Sequence, residues 1–482
     1  MRTLRRFIQI TKVSLEIKHL FTANKNGEVN YAKIGPVLNK KLSELGPTFI
    51  KLGQMLSMRA DMIPSPLADQ FRSLLDHGPV EDFEKIQDLF ISEVGKTPAE
   101  VFDSFSVEPI AVASISQVHV ATYKGRKLAV KIQKPHIKSL ILQDLKICRT
   151  LLKIVLLFSY KKSSKVMIQT AMDAVGEFFT WIERELDYRL EALNLARIKE
   201  HFSKDKTFLA PDVLHEFSGR RVLTMTYIEG VSLNELFTEL PDLPELAVIK
   251  YKNIKMSKKT FIDRALKIIF KQFFVDGYFH ADPHPANIII TPLGQIAFID
   301  FGVVGILHLE LKKHVVEVVA GIVDKDAKKI LQGLLAVNEG KNPDSLDPLE
   351  KRIEGLMHKW ESGSVLEMSM AEVFYELLTI AQDNNIRIPL TMFIVGKTLL
   401  EYDGVLTKFD PELDIVSRLK PLVEKSVSKD MGFLQKIIPT TISDWASSVK
   451  ELPLELEKLI KTVTEEGIDV SVHFGPGSAK KS

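Results

Sequence analysis

The sequence predicts an α+β fold in which a short strand-rich segment lies between helical regions. Residues 1–105 place apolar side chains at helical spacing, with a turn signal at Gly46-Pro47. Residues 106–133 alternate apolar and polar side chains, are rich in Val and Ile, and turn at Lys124-Gly125, which is typical of a β-hairpin. The spacing is helical again over about 137–204. This order differs from the repeated alternation of a βαβ fold.

The remainder of the chain continues with helices and short strands. Residues 220–230, RRVLTMTYIEG, are typical of a strand that ends in a turn, and a helix is predicted over about 260–278. Two further short strands are predicted at 287–291 and 295–299, joined by a Pro-Leu-Gly turn. From 307 to 467 the spacing is helical, and a tail of small and basic residues follows.

Composition and charge exclude several classes of protein. The chain has 482 residues, enough for two or three domains or for one large domain with extensions. Its formal net charge of +2 gives no electrostatic reason to expect nucleic-acid binding. The single cysteine, Cys148, excludes an intrachain disulfide framework and is typical of a reducing compartment, so we expect a cytoplasmic protein.

The apolar segments are too short or too charged to predict a membrane span. No window reaches the roughly 18 uncharged apolar residues that a spanning helix needs. The strongest candidate, LLKIVLLFSYKK at 151–162, contains a lysine, and we expect it to form a helix in the protein core. No secretory signal follows the basic start, because Gln9, Thr11 and Lys12 interrupt the apolar run.

The first 22 residues are basic and amphipathic, and only one carboxylate, Glu16, opposes their positive charge. The cations are Arg2, Arg5, Arg6, Lys12 and Lys18. The apolar residues are Leu4, Phe7, Ile8, Val13, Leu15, Ile17, Leu20 and Phe21. Two interpretations stay open: a helix that docks on the inner face of an anionic membrane, or a helix that packs on the protein's own core.

The strongest chemical signal is HADPHPANIIITPLGQIAFIDFG at 280–302. Asp282 and Asn287 lie five residues apart, as in the catalytic loop of protein kinases, and Asp300 begins a D-F-G sequence thirteen residues after Asn287. A loop would present one carboxylate to the acceptor and one amide to a metal, and a short hairpin would return a second carboxylate to the same place. Asn287, Asp300 and phosphate oxygens would suffice for magnesium, which prefers hard oxygen ligands and keeps several waters.

The same segment admits other interpretations. An isolated Asp-Phe-Gly is usually an ordinary turn, and His280, Asp282 and His284 are residue types that bind zinc or iron. In an extended segment these three would share one side. The prolines around the loop and the downstream Asp-Phe-Gly favour the kinase-like interpretation.

A candidate phosphate-binding lysine, Lys131, ends the sequence LAVK on the predicted hairpin. It matches the kinase pattern V-A-I-K, whose lysine contacts the α and β phosphates. Alone, it would be a solvent-facing lysine at a strand end. The preceding strand and turn, and the acidic residues that follow on a predicted helix, favour the phosphate-binding role.

One of the acids on that helix should pair with Lys131. Glu183, Asp187 and Glu191 are spaced four apart and would share one helix face, whereas Glu185 would point elsewhere. The spacing leaves open which acid is the partner.

The loop before this lysine departs from the kinase pattern. Kinases have a G-x-G-x-x-G loop whose backbone approaches the phosphates, whereas this chain has AVASISQVH at 111–119, without glycine. Ala111, Ala113 and Ser114 keep the side chains short but lose easy access to positive φ. We expect this loop to hold a nucleotide differently from a kinase loop.

Together these segments closely resemble the UbiB/AarF family of atypical kinases, also called the ABC-one or ADCK family. The resemblance spans about Leu45 to Gly404 and depends on the combination of motifs, since no single motif is specific. The matching motifs are K-x-G-Q at Lys51-Leu52-Gly53-Gln54, the alanine-rich loop at 109–119, LAVKIQKP at 128–135, E-x-D at Glu185-Leu186-Asp187 with Glu191 beyond it, VLTMTYIEG at 222–230, HADPHPANI at 280–288 and DFG at 300–302.

The resemblance implies a two-lobed protein-kinase-like α+β fold. It assigns residues 1–105 to a helical N-terminal extension and 106–229 to the small lobe with inserted helices. Residues 230–340 would form the large lobe with the catalytic loop, and 341–482 a helical C-terminal region and tail.

The resemblance also implies a protein that binds ATP with magnesium and supports the biosynthesis of ubiquinone or another prenyl lipid. Its partners would be a prenyl-lipid or quinone intermediate, quinone-biosynthesis proteins and a membrane surface. Lys51, with Glu185 and Asp187, would cover the place where a kinase binds a peptide substrate. This lid would favour ATP hydrolysis over free phosphorylation of proteins.

In the same way, the resemblance suggests roles around the nucleotide. Lys131, paired with Glu191 or Glu185, would orient the phosphates, and Asp282 would position the attacking group. The hinge between the lobes would contact the nucleotide through two residues, Met225 and Tyr227.

Two features depart from the family pattern. Thr226 stands in the hinge where glutamate is common. Many bacterial members end in two membrane spans, whereas this chain has the charged amphipathic segment SSVKELPLELEKLIKTVTEEG at 447–467. Two other functions stay open: a catalytically idle nucleotide-binding scaffold of a lipid-biosynthetic complex, and a small-molecule phosphotransferase.

Overall fold

The computed structural model describes residues 2–22, 31–57, 78–160, 162–240, 249–251, 254–343, 345–361, 368–411 and 413, together with Ile63, Leu67, Gln70, Phe71 and Leu74. All of these residues belong to the first of two units, Met1–Leu419. The predicted helical segment beyond 413, including the amphipathic stretch at 447–467, lies outside the described residues.

The N-terminal extension begins with helices α1 (Arg2–Thr22), α2 (Tyr31–Leu45) and α3 (Pro47–Ser57). One face of α1 buries Ile10 and Val13 against Phe49 of α3. On the same helix, Arg6 donates to both carboxylate oxygens of the fully buried Asp144, at 2.7 and 2.6 Å. Other apolar residues of α1 are exposed, namely Leu4, Ile8 and Leu15. Packing on the core therefore accounts for one face of α1 and leaves these apolar residues in solvent.

The predicted hairpin forms the centre of a five-stranded sheet. Its strands are β1 (Ser104–Phe105), β2 (Ala111–Val112), β3 (Ser116–Tyr123), β4 (Arg126–Gln133) and, later in the chain, β6 (Val222–Thr226). The hairpin is confirmed: β3 and β4 pair antiparallel, and both turn residues, Lys124 and Gly125, have the positive φ that a two-residue hairpin turn favours. Because β4 lies between β3 and β6, Lys131 pairs in register with Val118 and Leu223. The sheet begins at Ser104, inside the stretch that was predicted to be helical. The prediction missed β1 because a strand of two residues is too short to show alternation of apolar and polar side chains.

Helices α4 (Phe83–Val94) and α5 (Pro98–Val101) precede this sheet and cover it. Ile86 and Phe90 of α4 are fully buried in one cluster with Val130 and Ile132 of β4. This packing supports β4, the strand that carries Lys131.

Three inserted helices follow β4: α6 (Ile137–Leu157), α7 (Lys162–Glu185) and α8 (Tyr188–His201). The prediction of one helical face carrying Glu183, Asp187 and Glu191 is wrong. The helix ends at Glu185, and the Asp187 side chain accepts from the N–H of Arg189 and caps α8. The three acids therefore lie on two helices.

The α6–α7 hairpin packs through Ile141, Leu145, Phe178 and Ile182. The prediction that residues 151–162 lie in the core is wrong, because the end of α6 is exposed. The exposed fraction rises from 1% at Ile141 to 79% at Leu157. Among the described residues, the apolar clusters that cover α6 reach as far as Leu151 and Leu152, and the last turn extends beyond them.

The larger lobe contains short strands and two further helices. The strands are β5 (Phe208–Leu209), β7 (Val231–Ser232), β8 (Ile249–Tyr251), β9 (Ile254–Met256), β10 (Tyr278–His280), β11 (Ile288–Ile290), β12 (Ile296–Phe298) and β13 (Val304–Ile306). The helices are α9 (Leu233–Glu239) and α10 (Lys258–Phe270), the latter continued by a π-helical turn, Lys271–Asp276. The two predicted strands are confirmed as β11 and β12, which pair antiparallel with Ile288 opposite Phe298. The other strands are too short for the sequence pattern to predict.

The described C-terminal region is helical, as predicted. Its helices are α11 (Leu309–Asp324), α12 (Ala327–Ala336), α13 (Asp347–Glu361), α14 (Met370–Asp383) and α15 (Leu390–Phe409). The hydroxyl of Thr398 on α15 contacts the carbonyl of Ala281 at 3.4 Å, so this helix reaches the catalytic loop. A search of the described helices finds none with the length and apolar character of a membrane span.

Candidate active site

Lys131 projects from the middle of β4 between two carboxylates. Its Nζ lies 2.9 Å from both carboxylate oxygens of Glu191, in the first turn of α8, and 2.9 Å from Oδ2 of Asp300, after β12. Burial acts to lower the pKa of Lys131, but the Asp300 and Glu191 carboxylates outweigh it and raise this pKa well above its ordinary value. The ammonium is therefore charged at neutral pH. Of the acids that the sequence left open, Glu191 pairs with Lys131, whereas Glu183 lies 3.9 Å from Lys138 at the surface.

The two carboxylates at this lysine differ in their pKa. Burial raises the pKa of Glu191 to about 7, against the opposing charge of Lys131. Burial acts in the same direction on Asp300, but Lys131 and the backbone N–H of Gly302 hold the pKa of Asp300 below its ordinary value. Asp300 is therefore ionised at neutral pH, which is the state that a metal ligand requires.

The β11–β12 hairpin brings Asn287 and Asp300 to the same end of the sheet. Asn287 directly precedes β11 and Asp300 follows β12, and the N–H of Ile299 donates to the Asn287 carbonyl at 3.2 Å. The Asn287 side-chain NH₂ donates to the carbonyl of Asp282 at 3.1 Å. This hydrogen bond uses the NH₂ group of the amide, so that Oδ1 is the atom that can bind a metal.

His280 holds the catalytic loop through both ring nitrogens. Its Nδ1 accepts from the N–H of Asp282 at 3.2 Å, and its Nε2 contacts the carbonyl of Asp300. Burial lowers the pKa of His280, so the ring is neutral with its proton on Nε2. Within the part of the chain that the structure describes, no group of three His, Cys, Asp or Glu side chains could hold a metal. Because both ring nitrogens of His280 are engaged within the protein, His280 is not placed to bind zinc or iron.

Asp282 is held by a lysine that the sequence did not predict. Lys397, on α15, places its Nζ 3.3 Å from Oδ1 of Asp282 and 2.8 Å from Oε1 of Glu401. Burial acts to raise the pKa of Asp282, but Lys397 and the nearby His284 hold it below its ordinary value. The signal for Lys397 in the sequence is weak: a lysine on a strongly apolar helix, where burial requires a carboxylate partner. The sequence cannot say that Asp282 is that partner.

Lys51 lies on α3, is 7% exposed, and places its Nζ 2.5 Å from Oε1 of Glu185 at the end of α7. This ion pair joins the N-terminal extension to the inserted helices. Asp187, the other acid predicted at this lid, holds Arg189 at 2.8 and 2.6 Å and lies 3.6 Å from Arg220.

The predicted nucleotide loop lies between β2 and β3. Ala111 is exposed in β2, Ala113 is half-buried, and Ser114 is fully buried. The N–H of Ala113 donates to the carbonyl of Ser116 at 2.9 Å, so this backbone donor is already engaged within the loop.

The predicted hinge lies at the end of the edge strand β6, with Met225 in the strand and Tyr227 directly after it. Met225 is buried, and Tyr227 is half-buried with the ammonium of Lys127 3.9 Å from its ring centroid. The N–H of Tyr227 donates to the carbonyl of Lys127 at 3.0 Å, and Thr226 accepts from the N–H of Asp212 at 2.8 Å. The hinge is thus tied to β4 and to the segment before β6.

Comparisons with known proteins show similarity to kinase-like domains. The ABC1 atypical kinase-like domain matches residues 73–334, and the UbiB helical domain matches residues 355–414. An uncharacterised protein in the hydrogenase 1 5′ region of Clostridium pasteurianum is 32% identical over 82% of this chain and 71% of its own length. A probable protein kinase UbiB of Pseudomonas fluorescens SBW25 is 29% identical over 87% of this chain and 76% of its own length. Among solved structures, the Rv3197–erythromycin complex from Mycobacterium tuberculosis has a TM-score of 0.50 at 22% identity, covering 81% of this chain and 95% of that one, which shows a shared fold.

Proposed function

Because the chain belongs to the ABC1 atypical kinase-like family, we propose that it binds ATP with magnesium, hydrolyses it, and supports the biosynthesis of ubiquinone or another prenyl lipid. The observation that carries the proposal is the meeting of Lys131, Glu191 and Asp300 beside the catalytic loop. A charged ammonium, an ionised carboxylate and an oriented amide at one place are the groups that phosphoryl transfer requires.

The donor set fits magnesium. Asp300 and Asn287 offer hard oxygen atoms, and two protein ligands suffice when phosphate oxygens and waters complete the shell. When bound, the metal neutralises charge on the phosphates. Asp300 would bind it through the carboxylate that now contacts Lys131 and the N–H of Gly302.

The residues around the phosphates divide the work. Lys131 would bind phosphate oxygens, because Glu191 keeps its ammonium in place within hydrogen-bond distance. Asp282 would hold the attacking water by accepting a hydrogen bond, and Lys397 would fix the direction of its carboxylate. The hinge at Met225 and Tyr227 and the loop at Ala113 would contact the rest of the nucleotide.

The Lys51–Glu185 pair supports hydrolysis rather than phosphorylation of proteins. Both side chains are largely buried, at 9% and 14% exposure, and they join α3 to α7. Such a pair is costly to separate, because the remaining charge would be left without its partner. If the pair covers the acceptor position, as the family resemblance implies, a protein substrate would have to displace it, whereas water would not.

The proposal includes peripheral association with a membrane, because prenyl lipids and their quinone intermediates dissolve in the bilayer. The protein partners would be enzymes of the same biosynthesis.

The test is the fate of γ-labelled ATP with wild-type protein and with Asp300→Asn. We expect magnesium-dependent release of phosphate by the wild type and a loss of roughly 100-fold or more in the variant, since an amide is a poor substitute for the ionised ligand. The circular dichroism of the variant should match the wild type, with a somewhat lower melting temperature because an asparagine side chain cannot replace the charged contact with Lys131. Equal hydrolysis by the two proteins would mean that Asp300 does not bind the metal. Nucleotide binding without label transfer in either protein would instead support an idle scaffold.

A further inference from the structure

The last turn of α6 and the residues 158–160 that follow it expose several apolar side chains. The exposed fractions are 41% for Ile154, 54% for Val155, 79% for Leu157, 72% for Phe158 and 92% for Tyr160. We call these five residues the hairpin tip. Single exposed leucines, such as Leu293 at 84%, are ordinary, but five exposed apolar side chains within residues 154–160 mark a surface that contacts something else.

The surroundings of the hairpin tip are positively charged. Every charged residue from 145 to 172 is a lysine or an arginine, and the nearest carboxylates in the chain are Asp144 and Asp173. Asp144 is fully buried and bound to Arg6, so it does not offset this charge at the surface, whereas Asp173 is exposed farther along α7. The exposed cations are Lys146, Arg149, Lys153 and Lys165.

From this combination we infer that the hairpin tip docks on an anionic lipid bilayer. Leu157 and Phe158 would enter the boundary between headgroups and acyl chains, and Tyr160 would lie at the headgroup level, where an aromatic ring with a polar end is favoured. The cations around the tip would bind lipid phosphates. An apolar tip flanked along the chain by cations fits an anionic lipid surface, whereas a folded protein partner would have to present an apolar pocket beside an acidic surface.

The inference deepens the proposed membrane association by naming the surface that makes it. The hairpin tip is an interfacial contact and not a span, since α6 has 21 residues but lacks the apolar character of a spanning helix. From the tip, α7 runs back to Glu185, the partner of Lys51. The hairpin tip and the Lys51–Glu185 pair therefore lie at opposite ends of α7.

The experiment is flotation with vesicles of phosphatidylcholine mixed with phosphatidylglycerol, and with vesicles of phosphatidylcholine alone. We expect the wild-type chain to float with the anionic vesicles. Leu157→Ser/Phe158→Ser should lower the bound fraction about tenfold or more, because two apolar side chains no longer leave water. The matched control is Leu293→Ser, which removes an equally exposed leucine from a different surface and should float like the wild type.

A charge variant tests the second part of the inference. Lys153→Gln/Lys165→Gln should float less with anionic vesicles and more weakly still as salt is raised. All variants should melt like the wild type, since the altered side chains are exposed. Flotation of Asp300→Asn should equal that of the wild type, so a failure of ATP hydrolysis is distinguishable from a failure of docking.

Several results would overturn the inference. Wild-type protein that stays with the unbound fraction excludes lipid docking, and unchanged flotation of Leu157→Ser/Phe158→Ser excludes the tip. Loss of flotation in Leu4→Ser/Ile8→Ser, with the tip variant still bound, would assign docking to α1 instead. A dimer in sedimentation that the tip variant abolishes, without lipid binding, would identify a second copy as the occupant.

Discussion

Lys131 and Lys397 are two largely buried lysines that meet the active site from opposite lobes. Each ammonium lies between two carboxylates: Glu191 and Asp300 for Lys131, Glu401 and Asp282 for Lys397. In both cases burial disfavours the charged lysine, and the paired carboxylates reverse the effect and raise the pKa. The same device therefore appears twice in one site.

The two lysines differ in what their partners do. Lys131 contacts Asp300, the candidate metal ligand, and in the proposed function it would exchange that contact for phosphate oxygens. Lys397 contacts Asp282, the candidate group that positions the attacking water, and is anchored by Glu401 one turn along α15. The difference suggests that the first lysine serves nucleotide binding and the second serves turnover.

The largest expected effect separates these two roles. Lys131→Met should weaken the binding of magnesium ATP by tenfold or more, since it removes a charge-assisted contact worth about 1.5–3 kcal/mol. Lys397→Met should leave binding within about twofold and lower kcat by roughly 100-fold, because Asp282 loses the charge that orients it. Titration calorimetry measures the first quantity and phosphate release the second.

Glu401→Gln is the matched control for Lys397→Met. It alters the same cluster but keeps the ammonium beside Asp282, so its kcat should lie close to the wild-type value. Melting curves must show that the Met variant is folded, since it leaves carboxylates without their partner. If Lys397→Met weakens binding and spares kcat, the proposed division between the two lysines is wrong.

The sequence predicted the first of these lysines and missed the second for a physical reason. Four of the predicted site residues lie in short sequence motifs, namely Lys131, Asp282, Asn287 and Asp300. The spacing within each motif is fixed by the hairpin or loop that brings the functional groups together, so the spacing can be recognised in the sequence. Lys397 is separated from Asp282 by 115 residues. Its local pattern is an i, i+4 pair with a glutamate, which also occurs on solvated helix faces.

The same limit explains the other corrections. Helical spacing placed Asp187 and Glu191 on one face, but the cap that ends the run depends on whether the Asp187 carboxylate accepts from the backbone. Apolar content placed Leu157 in the core, yet burial depends on how far the neighbouring helices extend. The hairpin of β3 and β4 was predictable because its alternation and its turn are both local.

A third buried lysine, Lys51, extends the comparison, and we expect its substitution to have a smaller effect on activity than substitution of Lys131 or Lys397. Removing one partner of the Lys51–Glu185 pair costs about 3–5 kcal/mol when the pair is well buried. Lys51→Ala should therefore open the lid and let a nearby Ser or Thr reach the γ-phosphate, so that autophosphorylation appears above background. Gels of protein incubated with γ-labelled ATP measure it.

Two variants control this result. Lys51→Ala/Asp300→Asn should stay unlabelled, since it lacks the proposed metal ligand. Lys138→Ala breaks the more exposed pair with Glu183 near the same end of α7 and should resemble the wild type. If Lys51→Ala binds nucleotide but takes up no label, Lys51 does not control access to the site.

The smallest expected effect concerns the loop that shares phosphate binding with Lys131. Ala113 donates its N–H to Ser116 within the loop. Among the described residues other than glycine, positive φ occurs at Lys124, His136, Lys325 and Asn385, and thus not at Ala113. The backbone N–H of Ala113 is therefore used within the loop, and Ala113 does not have the positive φ that glycine permits in a kinase loop.

Ala113→Gly should let this backbone reach positive φ and turn N–H groups toward the phosphates, which tightens ADP binding by about threefold to tenfold. The gain is limited, because glycine also loses more conformational freedom on ordering than alanine, at a cost of about 0.5–1 kcal/mol. Calorimetry should compare it with Ala111→Gly, which alters an exposed alanine in β2 paired with Val118 and offers no new donor. Tighter binding in Ala113→Gly alone means that the wild-type loop keeps its backbone N–H groups away from the phosphates, so that Lys131 supplies the contact instead. Equal or weaker binding in Ala113→Gly means that the loop does not limit affinity, and the phosphates then depend on Lys131 and the metal.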